Sequence, residues 1–150
     1  MRRASKVLSA DAWNKAQAVD RVVLDAVERH RRRITLTGER GTIFLLDLPQ
    51  ATALRDGDGL VLDDGSVVRV AGKPEPLVEI AAPTAQQLAR IAWHIGNRHI
   101  EVQVVGDKLR IRRDHVLEAM LRGLGARLTP VEAPFDPEQG AYRDHGHGDV

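Results

Sequence analysis

Between Leu77 and Val131 the chain reads LVEIAAPTAQQLARIAWHIGNRHIEVQVVGDKLRIRRDHVLEAMLRGLGARLTPV, and the order of elements in this stretch decides the fold. Leu77-Val78-Glu79-Ile80 reads as a strand. Thr84 follows as a helix N-cap, with Gln87 three residues on as a capping box. Leu88, Ile91, Ala92 and Ile95 then recur at i, i+3, i+4 and i+7, one apolar helical stripe. Gly96 and Asn97 are expected to end this helix, since both tolerate the left-handed conformation of a C-terminal cap. Ile100, Val102 and Val104 alternate with Glu101 and Gln103 as a half-buried strand. Gly106-Asp107 turns the chain, and Leu109 to Ile111 returns as the hairpin partner. Asp114 caps a second helix whose stripe is Val116, Leu117, Met120, Leu121 and Leu124. Gly123 or Gly125 stops it, and Ala126 to Val131 supplies a last strand. The order β-α-β-β-α-β is the ferredoxin-like split unit.

Upstream the grammar changes. Val22 to Leu24, Ile34 to Leu36, Thr42 to Leu46, Leu60 to Leu62 and Val67 to Val70 are short apolar or β-branched runs. Turn signals separate them, among them Asp56-Gly57-Asp58-Gly59 and Asp63-Asp64-Gly65. This half is predicted to be a small β-sandwich or open barrel without helices. Ala71 to Pro76, with two prolines and a glycine, reads as a stiff linker. The expected class is α+β, with an N-terminal β-domain at 1–73, a ferredoxin-like domain at 74–133 and a tail at 134–150. After Pro134, apolar residues are too few to offset ordering entropy, so a flexible tail is expected.

The totals exclude several functions. The 150 residues suffice for one moderate core or two small ones. With no cysteine, disulfides, thiolate metal sites and cysteine nucleophiles are absent. A net charge of +1 gives no field that argues for nucleic acid. No apolar run approaches the ~20 residues of a membrane helix, and no apolar segment follows Arg2 and Arg3 as a secretory signal requires. A cytoplasmic protein with no membrane partner is expected.

Imidazole and carboxylate are then the strong metal ligands left, and imidazole suits nickel, copper and zinc. There are six histidines: His30, His94, His99, His115, His145 and His147. In one continuous helix, His94 and His99 would point about 140° apart and could not share an ion. If the helix stops at Gly96, His99 lies just past its C-terminus, where the macrodipole favours a cation. The ordinary reading of His99 is a residue leading into the next strand and bonded to a helix carbonyl. His94, beside Trp93, reads as a partly buried histidine donating to the backbone. His115 reads as an exposed helix-start residue, and His30 as part of a basic strand end, Arg29 to Arg33. That basic run is also a candidate surface for protein partners. Asp144-His145-Gly146-His147 differs, because histidines at i and i+2 on a glycine-bearing backbone can chelate. From Pro134 to His145 an extended chain spans about 36–40 Å, enough to reach a distant site.

His94-Ile95-Gly96-Asn97-Arg98-His99 resembles the signature of the urease accessory nickel metallochaperones, the UreE family. Arg112-Arg113-Asp114-His115-Val116-Leu117 with Met120-Leu121, and the segment Pro134 to Tyr142, resemble two further family motifs. The three lie in the family's order and cover roughly the last half of the chain. The resemblance implies an N-terminal domain that binds peptide or protein, and a homodimer formed through the C-terminal domain. It implies Ni²⁺ as cargo and His99, His145 and His147 as ligands; by the affinity order of divalent metals for imidazole, Zn²⁺ or Cu²⁺ is expected to compete. His115 and His94 are further candidates. It also implies urease apoprotein and urease accessory proteins, including a GTPase, as partners, and no catalysis. Where some relatives carry an extra histidine, Arg113 stands here. The tail offers two histidines rather than a long histidine-rich run.

Two other classes fit the fold. An RNA-binding ferredoxin-like module stacks bases on aromatic residues of its central strands, and the segments 100–104 and 109–111 carry none. A metal-dependent hydrolase needs an open coordination site with a general base, and no HExxH spacing occurs.

Overall fold

The computed structural model describes residues 1–140. The chain divides into two compact units, one spanning Met1–Lys73 and the other beginning at Pro74.

In the first unit, six strands form a single sheet: β1 (Arg2–Leu8), β2 (Asp20–Leu24), β3 (His30–Thr37), β4 (Ile43–Ala53), β5 (Gly59–Leu62) and β6 (Val67–Gly72). The spatial order is β2-β6-β5-β1-β4-β3. The β1/β4 and β2/β6 pairs are parallel and the remaining pairs antiparallel. Ala4, Val22, Leu36, Phe44, Leu46, Leu60, Val68 and Val70 belong to one buried cluster. Since both edge strands reach the same core, the sheet must curl over itself as a half-barrel. Of the two forms expected, this is the open barrel.

The structure adds a strand that the sequence pattern does not announce. In β1 only Ala4 is fully buried, so no alternation marks it, yet it sits centrally between β4 and β5. Two one-turn 3-10 helices, Ala10–Ala12 and Lys15–Gln17, interrupt the otherwise helix-free unit. Between them lies Trp13, whose indole donates to the Gly57 carbonyl at 3.1 Å. A Cβ on Gly59 would come within 2.8 Å of the Trp13 ring, so that position requires glycine.

The second unit holds β7 (Glu75–Ala81), α1 (Ala85–Asn97), β8 (Gln103–Val105), β9 (Lys108–Arg112), α2 (His115–Gly123) and β10 (Arg127–Ala133). Its sheet runs β10-β7-β9-β8 and is antiparallel throughout. That order is what a ferredoxin-like βαββαβ chain produces. Val78, Ile80, Leu109 and Ile111 from the sheet pack with Ile91 and Ile95 of α1 and Leu121 of α2. Among the described residues no helix is long and apolar enough to cross a membrane.

Several local expectations need correction. The linker hardly exists as such, because β6 runs to Gly72 and β7 starts at Glu75. The β8 strand is only three residues long, and Val104, expected on the buried face, is 55 % exposed. Val116 lies outside the α2 stripe at 64 % exposure, while Glu118 of the same helix is buried. Arg29 is buried too; it donates to the carbonyls of Leu24 at 3.1 Å and Leu54 at 3.0 Å. It is therefore a structural staple rather than part of a basic surface.

The segment after β10 is anchored at its root. Phe135 is fully buried and lies 4.7 Å beneath the Arg112 guanidinium. The Glu138 amide donates to the Val102 carbonyl at 2.8 Å, and the Val104 amide donates to the Glu138 carboxylate at 3.1 Å. The Asp136 amide donates to the Gln103 side-chain oxygen Oε1 at 3.1 Å. Five residues thus carry the chain from edge strand β10 to edge strand β8. Three strand spacings amount to about 14 Å, which five extended residues span. The strap also occupies an amide of an otherwise open sheet edge.

Candidate metal centre

Helix α1 begins as its sequence implies. The Gln87 amide donates to Thr84 Oγ1 at 3.1 Å, although the Gln87 side chain meets the Thr84 hydroxyl rather than its backbone amide. The other end differs from expectation. Gly96 and Asn97 are both helical, Arg98 is the C-cap, and His99 carries the left-handed conformation at φ 59°. The His99 amide donates to Gly96 O at 3.0 Å and the Ile100 amide to Ile95 O at 3.3 Å. These two bonds make a Schellman motif with Ile100 meeting the core beside Ile95.

Helix α2 ends in the same motif. Gly125, at φ 89°, takes the left-handed place; its amide donates to Arg122 O at 3.0 Å and the Ala126 amide to Leu121 O at 3.0 Å. Glycine fills that position without cost, whereas a residue with a Cβ pays about 1 kcal/mol or more. Among the described residues His99 is the one non-glycine with positive φ. Its side chain is exposed at the negative end of α1.

The other histidines are placed differently. His94 is half-buried and meets the Trp93 ring edge-on at 5.1 Å between centroids. It lines a cleft of about 190 Å³ with Gln87, Arg90, Ile91 and Leu124. The backbone hydrogen bond expected of it is not found among the described residues. His115 is the exposed first residue of α2, and His30 the exposed first residue of β3. His145 and His147 lie outside the described residues. No three His, Asp or Glu side chains converge as a metal site among the described residues.

The start of α2 has a structural task. Asp114 accepts from the amides of Val116 at 3.0 Å and Leu117 at 3.1 Å, as a capping residue should. Arg113 makes a bidentate pair with buried Glu118, both contacts at 3.0 Å. These hydrogen bonds, against the opposing effect of burial, hold the Glu118 carboxyl below its ordinary range. Sequence reading missed this pair, since Glu118 sits on the polar side of the apparent stripe. It also missed the strap and the His99 conformation, for which the absence of glycine at 97–99 was the available signal.

Fold and site define a class: a two-unit α+β protein, an open β-barrel unit followed by a ferredoxin-like unit, with an exposed imidazole at the end of its first α-helix. Two family models match the chain, the UreE urease accessory protein N-terminal domain over residues 4–72 and the C-terminal domain over residues 75–150. A urease accessory protein UreE of Bradyrhizobium sp. (strain ORS 278) is 56% identical over 150 residues, covering 99% of this chain and 71% of that relative. The one from Beijerinckia indica is 53% identical over 146 residues, 97% of this chain and 84% of the relative. The one from Rhodobacter capsulatus is 45% identical over 153 aligned residues, 99% of this chain and 94% of the relative. The chain belongs to the UreE family of urease accessory proteins.

Proposed function

We propose that the protein is a nickel carrier in urease maturation, binding one Ni²⁺ between two copies of the chain through His99. The observation that carries this reading is the placement of His99 where α2 uses glycine. An imidazole held in a left-handed backbone, exposed and at a helix C-terminus, is costlier than the fold needs. Such strain is retained where the side chain has work outside the fold. One imidazole is a poor site, but a two-fold axis doubles it without new sequence. Among the described residues no ligand cluster converges, and a second copy would supply the missing imidazole. The exposed Trp93, on the helix that ends at His99, offers that copy an apolar contact.

The tail fits as a second ligand source. Near the end of the described residues, Glu138 is bonded to Val102, three residues from His99. Seven extended residues from there to His145 span about 24 Å, so His145 and His147 can return to His99. His94 and His115 serve as weaker, secondary ligands in this reading. A carrier must also release its cargo, and a thiolate-free imidazole site exchanges its metal and loses it on protonation. Urease and its accessory proteins, among them a GTPase, are the proposed partners, and the cytoplasm the proposed location. The carrier itself catalyses no reaction.

Calorimetry with Ni²⁺ on wild type, His99→Ala and a truncation before Asp144 tests the proposal. One tight ion per dimer is expected, lost in His99→Ala and weakened by truncation. Undiminished tight binding by His99→Ala, or a chain that stays monomeric with nickel, overturns it. Free imidazole titrates near ~6.5, so binding should fall away as pH drops through about 6; affinity unchanged by acid would exclude histidine ligation.

A further inference from the structure

The first unit carries a cleft lined by charged side chains and by none of the histidines. Arg21 on β2 and Arg69 on β6 are register partners on adjoining parallel strands, so their side chains leave the same face about 4.8 Å apart. Like charges so placed repel. Glu39 pairs with Arg21, its Oε1 accepting from Nε at 2.5 Å. No side chain pairs with the Arg69 guanidinium among the described residues, and its Nε is buried without a hydrogen-bond partner.

These two arginines line a cleft of about 260 Å³ together with Lys15, Arg40, Asp20 and Glu39. Four cations thus face two carboxylates, and neither carboxylate is free. Glu39 is engaged by Arg21. Asp20 accepts from the amides of Arg21 at 2.7 Å, Arg40 at 2.9 Å and Thr42 at 3.0 Å. Lys15 donates one of its three protons to the Ala10 carbonyl. Arg40 is exposed at the rim, in the Gly38–Thr42 turn that Asp20 holds in place.

We propose that this cleft binds a carboxylate, with Arg69 at its floor and Arg40 at its rim as the donors. An anion here would satisfy the orphaned Arg69 Nε and relieve its repulsion with Arg21. A guanidinium presents parallel donors that match a carboxylate. A phosphate dianion would lie against Glu39 and Asp20 with twice the charge, so the singly charged group is favoured. The carboxylate can come from an acidic side chain of a partner protein or from a free dicarboxylate.

Calorimetry on the metal-free full chain at low ionic strength separates these sources. The probes are acetyl-Gly-Glu-Glu-Gly-amide, its glutamine counterpart, glutarate and inorganic phosphate. The variants are Arg69→Met and Arg40→Gln. Saturable binding of the glutamate peptide, absent for the glutamine peptide and weakened about 10-fold or more in each variant, supports the proposal. Glutarate binding as tightly as the peptide assigns the site to free dicarboxylates; weaker glutarate binding assigns it to a protein side chain. Tighter binding of phosphate than of either carboxylate, no binding of either, or binding unchanged in both variants overturns it. Arg69→Met removes an unsatisfied buried donor and should melt no lower than wild type. The surface position of Arg40 makes its variant a second test if Arg69→Met fails to fold. Neither variant touches a histidine, so Ni²⁺ binding is expected to be unaltered, and failure of one proposal is distinguishable from failure of the other.

Discussion

His99 occupies in α1 the position that Gly125 occupies in α2. Both helices close with the same pair of amide-to-carbonyl bonds, and both residues have positive φ, 59° and 89°. In each case the following residue, Ile100 or Ala126, packs against the core that Ile95 or Leu121 enters from the helix. Two ends of one architecture therefore differ in a single choice, a glycine or an imidazole.

That choice separates stability from metal binding. His99→Gly should raise stability above His99→Ala by about 1 kcal/mol, since alanine keeps the left-handed penalty and glycine removes it. Both variants should lose tight Ni²⁺ binding. Urea denaturation of the metal-free protein measures the first effect; equal midpoints for the two variants would show that His99 carries no strain.

Gly125→Ala is the converse. A Cβ there meets only the Gln87 side chain, at 3.8 Å, so space is not the obstacle. The cost should be about 1 kcal/mol from the backbone conformation alone, read as a lower urea midpoint with an unchanged m-value.

Asp20 fastens the Gly38–Thr42 turn, and acid should release it. Burial opposes its ionisation, but the amides of Arg40, Thr42 and Arg21 and the Thr42 hydroxyl bring its carboxyl down to about 2 from 3.8. A carboxyl lowered on folding stabilises fully above its unfolded value, and that contribution is lost as pH falls toward the folded one. Asp20→Ala should cost on the order of 2–3 kcal/mol at neutral pH by leaving turn amides unpaired. The gap to wild type should close between about pH 4 and pH 2 in acid-denaturation curves; a gap constant across that window would refute the assignment.

Glu118 and Arg113 tie the first turn of α2 together. Glu118→Gln keeps the shape, removes the charge and weakens the bond to the Asp114 amide, now 3.0 Å long. With the Arg113 side chain 42% exposed, solvent screening limits the cost to about 1 kcal/mol. The folded Glu118 carboxyl lies below its ordinary value, so this contribution is present at neutral pH and disappears as acid protonates it. Thermal melts of the two proteins should therefore converge at low pH.

The strap is tested at Phe135. Phe135→Ala should cost about 3 kcal/mol or more from lost burial and free the chain from β8. Faster hydrogen exchange at the Glu138 and Val104 amides would report the release. Unchanged protection there would mean that the polar contacts hold the strap unaided.

The amino-acid sequence by itself determined the elements whose causes are local. Thr84 and Asp114 cap their helices, Ile91 and Ile95 mark one buried face, and Gly106 turns the hairpin, because each interaction spans about four residues or fewer. It also singled out the histidines and, through three motifs, the family. Tertiary structure alone decided the rest. Strand β1 exists because β4 and β5 flank it, not because its residues alternate. Phe135 is anchored because Arg112, distant in sequence, lies over its ring. Among the described residues the Arg69 side chain lacks a partner because strand register sets it beside Arg21. His99 turned left-handed, in place of Gly96 or Asn97, because Ile100 had to return to the core beside Ile95. Such outcomes depend on what the chain packs against, and residue order along a single segment does not encode that.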